Sequence, residues 1–368
     1  MTSGQLRSHI PIAAPARREA ADGAEPPLRV VLGFEPRWFR ERCEVDFSQR
    51  WHSDPDYRRS TLIAMRNQLR QSFPEVSQWD GEEERHTATI SGAFGIGVIP
   101  AAFGVPLRYY ADRWPHLEPG YELGDRAAEQ LTAEAALASP FVEGLLRQID
   151  DMAGNWGTVY GDLNWQGVLN LAFHLRGQQI FADMAERPDL AAHLFGVIAE
   201  VLVRLAQTVQ GRQRASGFDI DYMCLSNCTI NMISPAMYGR ILAPVDARVA
   251  DSFARFGVHT CNWNATPYFP ALSQLPKLGY IDMGMQSDLV KAKSLFPGAR
   301  RAVMYTPGRL KEVSPDQLRA DLERIWRELA PCDVVLADIP WDTPDETVRW
   351  FYGVSRQISE TTPPVAAA

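Results

Sequence analysis

No stretch of the chain approaches the roughly 20 unbroken apolar residues that a membrane span requires, so a spanning helix is excluded. A secretory signal is missing too: residues 1–27 are rich in Ala, Pro, Arg and Glu and have no apolar core, which reads as a disordered leader. Positive charge is not in excess. With 37 Lys and Arg against 45 Asp and Glu, the net charge is -8, and nucleic acid is excluded as the main partner because phosphate binding needs clustered cations. The short runs Arg212-Gln213-Arg214 and Arg300-Arg301 read as helix ends or loops. Cysteine is scarce: Cys43, Cys224, Cys228, Cys261 and Cys332 are odd in number and irregularly spaced, so a disulfide framework gives way to reduced thiols and a cytoplasmic setting. No G-x-G-x-x-G or Walker sequence is present, which removes the usual support for an open nucleotide-binding sheet. Internal repeats are absent as well.

What is present is ordinary globular material, 46% hydrophobic and 22% charged over 368 residues. That is enough for two average domains or one large barrel. Residues 29–34 (RVVLGF) form a short apolar run closed by Glu35-Pro36. A helix is expected over 54–73, with Asp54 as N-cap and Pro55 in its first turn. Leu190, Leu194, Val197, Ile198, Val201, Leu202 and Leu205 repeat at helical spacing within 189–210. Ser234-Pro235 opens another helix expected to run to about Phe256. Short apolar runs at 218–225, 257–261, 279–283, 302–305 and 334–339 suit buried strands, and helices are expected over 314–329 and 344–357. Strands alternating with helices argue for a parallel sheet, and over this length for a single (β/α)8 TIM-type barrel. Its expected limits are a leader at 1–28, the barrel at 29–360 and a frayed tail at 361–368.

The strongest local signal is His259-Thr260-Cys261 at a predicted strand end. Residues two apart on a strand share a face, and imidazole with thiolate suits zinc. A buried thiol beside a hydrogen-bonded histidine is the bland alternative. Cys224 and Cys228 form a C-x3-C pair, read as two small core thiols in preference to a soft-metal pair. Glu35 and Asp282 follow apolar strands, where a barrel presents functional acids, or else they cap the next turn. Arg37, Asn164, Asn227, Trp263 and Tyr305 are candidates to contact substrate. Packing competes as the role of the aromatics, Trp165 and Tyr109-Tyr110 included. His52 and His116 lie in polar surroundings and are expected at the surface.

The segment His259-Thr260-Cys261-Asn262-Trp263-Asn264-Ala265-Thr266-Pro267 resembles the H-x-C-G-N-x-T-P stretch of methylcobalamin:coenzyme M methyltransferases in the uroporphyrinogen decarboxylase superfamily. A strand-end acid, Asp282, follows as in that superfamily. Ile233-Ser234-Pro235-Ala236-Met237-Tyr238 through Pro244 resembles the family's I-S-P-x-x-Y/F…P helix start, and Pro340-Trp341-Asp342-Thr343-Pro344 its P-P-D-T-P segment. The resemblance extends from about Pro36 to Arg356, with its specific motifs mainly in the second half. It implies a barrel fold, zinc, methyl transfer between a corrinoid or small methylated compound and a thiol or corrinoid acceptor, a corrinoid-carrying partner protein and a homodimer.

Two departures stand out. The family's third metal ligand, a Cys just before P-P-D-T-P, falls at Ala337, beside Asp338. Cys332 is five residues further back, about 16 Å along an extended strand. Asp338, or another nearby acid, is the expected third ligand beside His259 and Cys261, through a carboxylate oxygen. The Gly after the family's Cys is also replaced, by Asn262. The decarboxylases' R-Q-A-G-R-Y motif is not kept in Pro36-Arg37-Trp38-Phe39-Arg40-Glu41-Arg42. Two other readings accompany methyl transfer. One is a metal-independent decarboxylase of an aromatic or pyrrolic acid, with Asp282 as its acid and an Arg holding the carboxylate. The other is a non-catalytic barrel that binds a small molecule.

Overall fold

Short, largely apolar runs buried on both faces build the centre of the molecule, as a parallel sheet demands. In the computed structural model, residues 18–23, 25–77 and 84–361 are described; the expected tail beyond 361 and the leader before 18 lie outside them. The parallel strands are β1 (Leu28–Phe34), β4 (Tyr222–Ser226), β5 (Arg255–His259), β6 (Leu278–Gly284), β7 (Arg300–Met304) and β8 (Cys332–Ile339); β2 (Leu107–Arg108) and β3 (His116–Leu117) form a separate small antiparallel pair. The large sheet runs β1-β8-β7-β6-β5-β4, with β1 returning beside β8. Two isolated parallel bridges, Gln166 to Ser226 and Thr89 to Tyr160, carry pairing onward from β4 to two more staves. Six strands and two bridged segments make the eight positions of a (β/α)8 barrel.

Strand alternation divides the apolar side chains into two sets. Val31, Tyr222, Cys224, Tyr280, Ala302, Met304, Val335 and Ala337 pack together in one cluster, the barrel interior. Leu32, Met223, Leu225, Val258, Ile281, Met283, Val303 and Leu336 belong to the larger core shared with the helices. The Asp54 carboxylate accepts from the Tyr57 N–H and starts helix Pro55–Ser72, as its sequence predicts. A reciprocal capping box, Ser314 with Gln317, starts Pro315–Leu329. The longest helix, Pro188–Ala215, buries Leu190, Leu194, Ile198, Val201, Leu202 and Leu205.

Several local expectations shift. The helical stretch after Ser234 ends at Asp251, not near Phe256, because Phe256 is already in β5. It also contains a π-helical turn, Tyr238–Leu242, which includes Arg240, four residues before Pro244. A widened turn relieves the carbonyl that a proline would otherwise strike. The strand expected at 218–225 is shorter, and Phe218 and Ile220 fill the barrel interior ahead of it. His52 is fully buried, and its Nδ1 accepts from the Phe94 N–H at 2.9 Å. The apolar environment is supplied by Trp51, Phe94 and Tyr109, whose rings surround it. His116 is exposed.

The expected leader is ordered where it is described. Ala21 donates its N–H to the Gly279 carbonyl at 2.9 Å, and Ala20 packs against the interior cluster. Buried Glu19 pairs with Arg300 at 2.8 Å and with Arg29 at 3.3 Å; Arg29 in turn grips Asp333 through two hydrogen bonds of 2.9 and 2.6 Å. Asp22 and Glu25 add contacts to Arg300. These partners sit at the N-terminal ends of β1, β6, β7 and β8. Residues 18–23 and Glu25 thus plug the end of the barrel opposite the usual catalytic mouth.

Candidate metal centre

Three adjacent strands deliver the site. β4 ends at Ser226 and passes into the 3-10 turn Cys228–Met232; β5 ends at His259 and turns at Cys261; β6 carries Asp282. The donor atoms of Cys228, His259 and Cys261 all lie within 4.8 Å of one another, the one such group of three among the described residues. His259 and Cys261 meet for a different reason than a shared strand face. Cys261 lies beyond the strand with a left-handed φ of 72°, and the turn, not the pleat, brings its thiol back beside the imidazole.

Behind the histidine is a carboxylate already committed to holding it. Asp282 Oδ2 lies 2.7 Å from His259 Nδ1 and accepts from the Tyr280 hydroxyl at 3.0 Å; its Oδ1 accepts from the Thr260 N–H at 2.8 Å. Thr260 Oγ1 donates to the Asp282 carbonyl. With Nδ1 engaged, the Nε2 lone pair is left for an electrophile, the arrangement typical of metal-bound histidines. Burial and the Arg18 charge push the His259 pKa down, yet Asp282 and Cys261 outweigh them and the net shift is upward. The two thiols are strongly unequal. A hydrogen bond from Cys228 pulls Cys261 down and His259 pulls further, whereas Cys228, as the donor, is raised.

The Cys228 turn is pinned on both sides. Asn227 donates its backbone N–H to the His259 carbonyl at 2.8 Å and its side-chain amide to buried Asp246, which also accepts from Tyr238. Desolvation pushes Asp246 up to about 6. On the β5 side, the Gly284 N–H donates to the Trp263 carbonyl, and a Cβ at Gly284 would lie 2.1 Å from the Asn262 oxygen. Glycine there permits the loop after Cys261 to close on β6.

The residues expected from sequence fall into two groups. His259, Cys261, Asp282 and Asn227 converge, with Asn164 close by: it accepts from the Ser226 hydroxyl at 3.1 Å. Trp263 is half-buried and packs edge-on to Tyr268. Asp338 does not join the ligand group. It is exposed at φ 54°, where the β1–β8 register shifts, and Ala337 beside it belongs to the barrel interior. Tyr305 points the other way, donating to Asp321 of helix Pro315–Leu329 and packing on Phe351 in the helical layer. Glu35 accepts from the Trp341 N–H, and exposed Arg37 stacks 4.4 Å over Trp341 while pairing with Glu41. These contacts tie the β1 and β8 loops together.

Cys228 is the residue that strand logic missed. Cys224 and Cys228 separate because only Cys224 is on the strand, pointing into the interior with its thiol pushed up to about 12 by burial. All five cysteines are free, and no described helix is long and apolar enough to cross a membrane.

No family model and no curated protein matches the chain. Among solved structures, it is similar to a methyltransferase from Methanosarcina mazei, with a TM-score of 0.65 over 92% of this chain and 95% of that one. The identity is 14%, so the likeness is one of fold.

Proposed function

We propose that the chain is a zinc-dependent methyltransferase whose metal is held by Cys228, His259 and Cys261. The observation that carries this reading is the three-ligand group with His259 backed by Asp282. Two thiolates and an imidazole suit tetrahedral zinc and leave a fourth position for a reactant, the mark of catalytic rather than structural zinc sites. Zinc, when bound, would lower the pKa of a thiol occupying that position and hold it as a nucleophilic thiolate. The chain's own groups do the rest. Asp282 fixes the imidazole tautomer, and the Cys261 turn and Cys228 turn set the distances between donors. The plug at the opposite end leaves the C-terminal strand ends as the route of access.

Methyl transfer is supported by the fold it shares with the M. mazei protein and by the sequence resemblance around His259. The acceptor would be a small thiol or a corrinoid protein, and the donor a methylcorrinoid or small methylated compound. A homodimer and a cytoplasmic setting belong to the same proposal. The non-catalytic reading draws on Ala337 standing where the family has its third ligand, and it loses weight with Cys228 beside His259 and Cys261. The decarboxylase reading is weaker, because it needs Asp282 to face the substrate. Asp282 is instead fully buried, with both carboxylate oxygens engaged.

The test is to incubate zinc-loaded protein with methylcobalamin and a panel of small thiols and to follow cobalamin absorbance. The thiolate takes the methyl carbon as the Co–C bond breaks and cob(I)alamin leaves. Turnover lost in Cys228→Ser and Cys261→Ser is the expected result. Equal turnover in wild type and Cys261→Ser would contradict it.

A further inference from the structure

The segment that plugs the barrel also reaches toward the site. Arg18, at the start of the described plug, donates from Nη1 to the Ser226 hydroxyl at 2.6 Å. Ser226 is the last residue of β4, in the same alternating row as the interior residues Tyr222 and Cys224. The hydrogen bonding continues from there without a break. Ser226 Oγ donates to Asn164 Oδ1 at 3.1 Å, and the same oxygen accepts from Gln166 Nε2 at 3.1 Å. Gln166 Oε1 accepts from Asn170 Nδ2 at 3.1 Å, and Asn170 Oδ1 accepts from the Thr229 backbone N–H at 2.9 Å. Thr229 directly follows Cys228.

The direction of this chain is dictated by its ends. A guanidinium can only donate, so Ser226 Oγ must accept from it and send its own proton to Asn164. The carbonyl of Asn164 is thereby committed, Gln166 must present its amide nitrogen to it, and the Gln166 oxygen is free for Asn170. At the far end the Thr229 N–H is also an obligatory donor, which requires the Asn170 oxygen to face it. Both ends agree on one orientation of three amides. Gln166 and Asn170 are buried, where an amide pointing the wrong way would leave a donor or acceptor unmet.

We propose that Arg18 is a positioning residue for the metal centre, acting through Ser226, Asn164, Gln166 and Asn170 to hold the Cys228 turn in its ligating geometry. The N-terminal plug is then part of the site's support and not merely a closure of the barrel. The inference takes its readout from the zinc reading above but rests on separate residues.

The experiment is a double-mutant cycle on full-length protein with Arg18→Met and Asn170→Ala, measuring Zn2+ affinity by competition with a chromophoric chelator. Hydrogen exchange of residues 226–232 is followed in parallel. Each single substitution is expected to weaken zinc binding roughly tenfold or more, as loss of outer-shell partners typically does. The double variant is expected to lose much less than the product of the two, because both cut one chain. Arg18→Lys, which keeps an obligatory donor, is expected to recover part of the affinity. Additive effects, or unchanged zinc affinity and exchange in Arg18→Met, overturn the proposal. If Arg18→Met does not fold, Ser226→Ala takes its place in the cycle with the same two outcomes. If wild type binds no zinc, faster exchange at 226–232 in Arg18→Met still supports the positioning role while the zinc reading falls. Unchanged exchange in that case removes both.

Discussion

Asp282 holds His259 Nδ1 at 2.7 Å through one carboxylate oxygen and the Thr260 N–H at 2.8 Å through the other. With Tyr280 donating to the same oxygen that faces His259, the carboxylate is turned inward to its neighbours. It is the partner that orients the His259 imidazole. Asp282→Asn should therefore leave the fold intact and weaken zinc binding by roughly 10- to 100-fold, read by chelator competition; unchanged affinity would return Asp282 to a role facing the substrate. His52 gives a second residue-scale prediction. Burial, with Arg58 adding to it, pushes its pKa down from the ordinary 6.5 to about 3. Below pH 6.5 the unfolded chain takes up a proton that the folded state refuses, so this contribution is whole above pH 6.5 and declines as pH falls toward 3. The slope is about 1.4 kcal/mol per pH unit. His52→Gln keeps an acceptor for the Phe94 N–H without that proton. Denaturant unfolding at pH 7 and pH 5 should show wild type losing about 2 kcal/mol more than the variant; equal losses would mean that His52 is protonated in the folded state.

At the scale of elements, the strands and helices were largely readable because their signals are local. Asp54 and Ser314 sit where caps are needed, and alternation along β4, β6 and β8 sorts interior from exterior. The loops after the strands were not readable in the same way. Strand geometry predicts where Cys224 points, but Cys228 lies in a 3-10 turn whose direction depends on Asn227, Asp246 and Asn170 from other parts of the chain. The same limit explains Asp338. Its nearness to the family's ligand position in sequence did not survive a bulge that turns it to the surface. The loop after Cys261 depends on Gly284, where a Cβ would press on the Asn262 and Trp263 oxygens at 2.1 and 2.7 Å. Gly284→Ala should move that loop, leaving the far-ultraviolet circular dichroism unchanged while zinc affinity drops at least tenfold. Wild-type affinity would show that the loop tolerates the displacement.

For the whole molecule, the repeat of strand and helix was sufficient to expect a barrel, and the fold shared with the M. mazei methyltransferase agrees with it. Composition misled at the N-terminus. Ala, Arg and Glu between residues 18 and 25 look like a solvated leader, yet Glu19 and Arg18 find partners far along the chain in Arg300 and Ser226. Charge that is paired only in the tertiary structure cannot be told from solvated charge in a one-dimensional reading. The proposed metal centre depends on the identity of its third ligand. Its most direct test is the zinc content of purified protein by elemental mass spectrometry, with Cys228→Ser and Asp338→Asn beside wild type. One zinc per chain in wild type and Asp338→Asn, lost in Cys228→Ser, is the predicted result. Full zinc in Cys228→Ser, or its loss in Asp338→Asn, would contradict the centre described here.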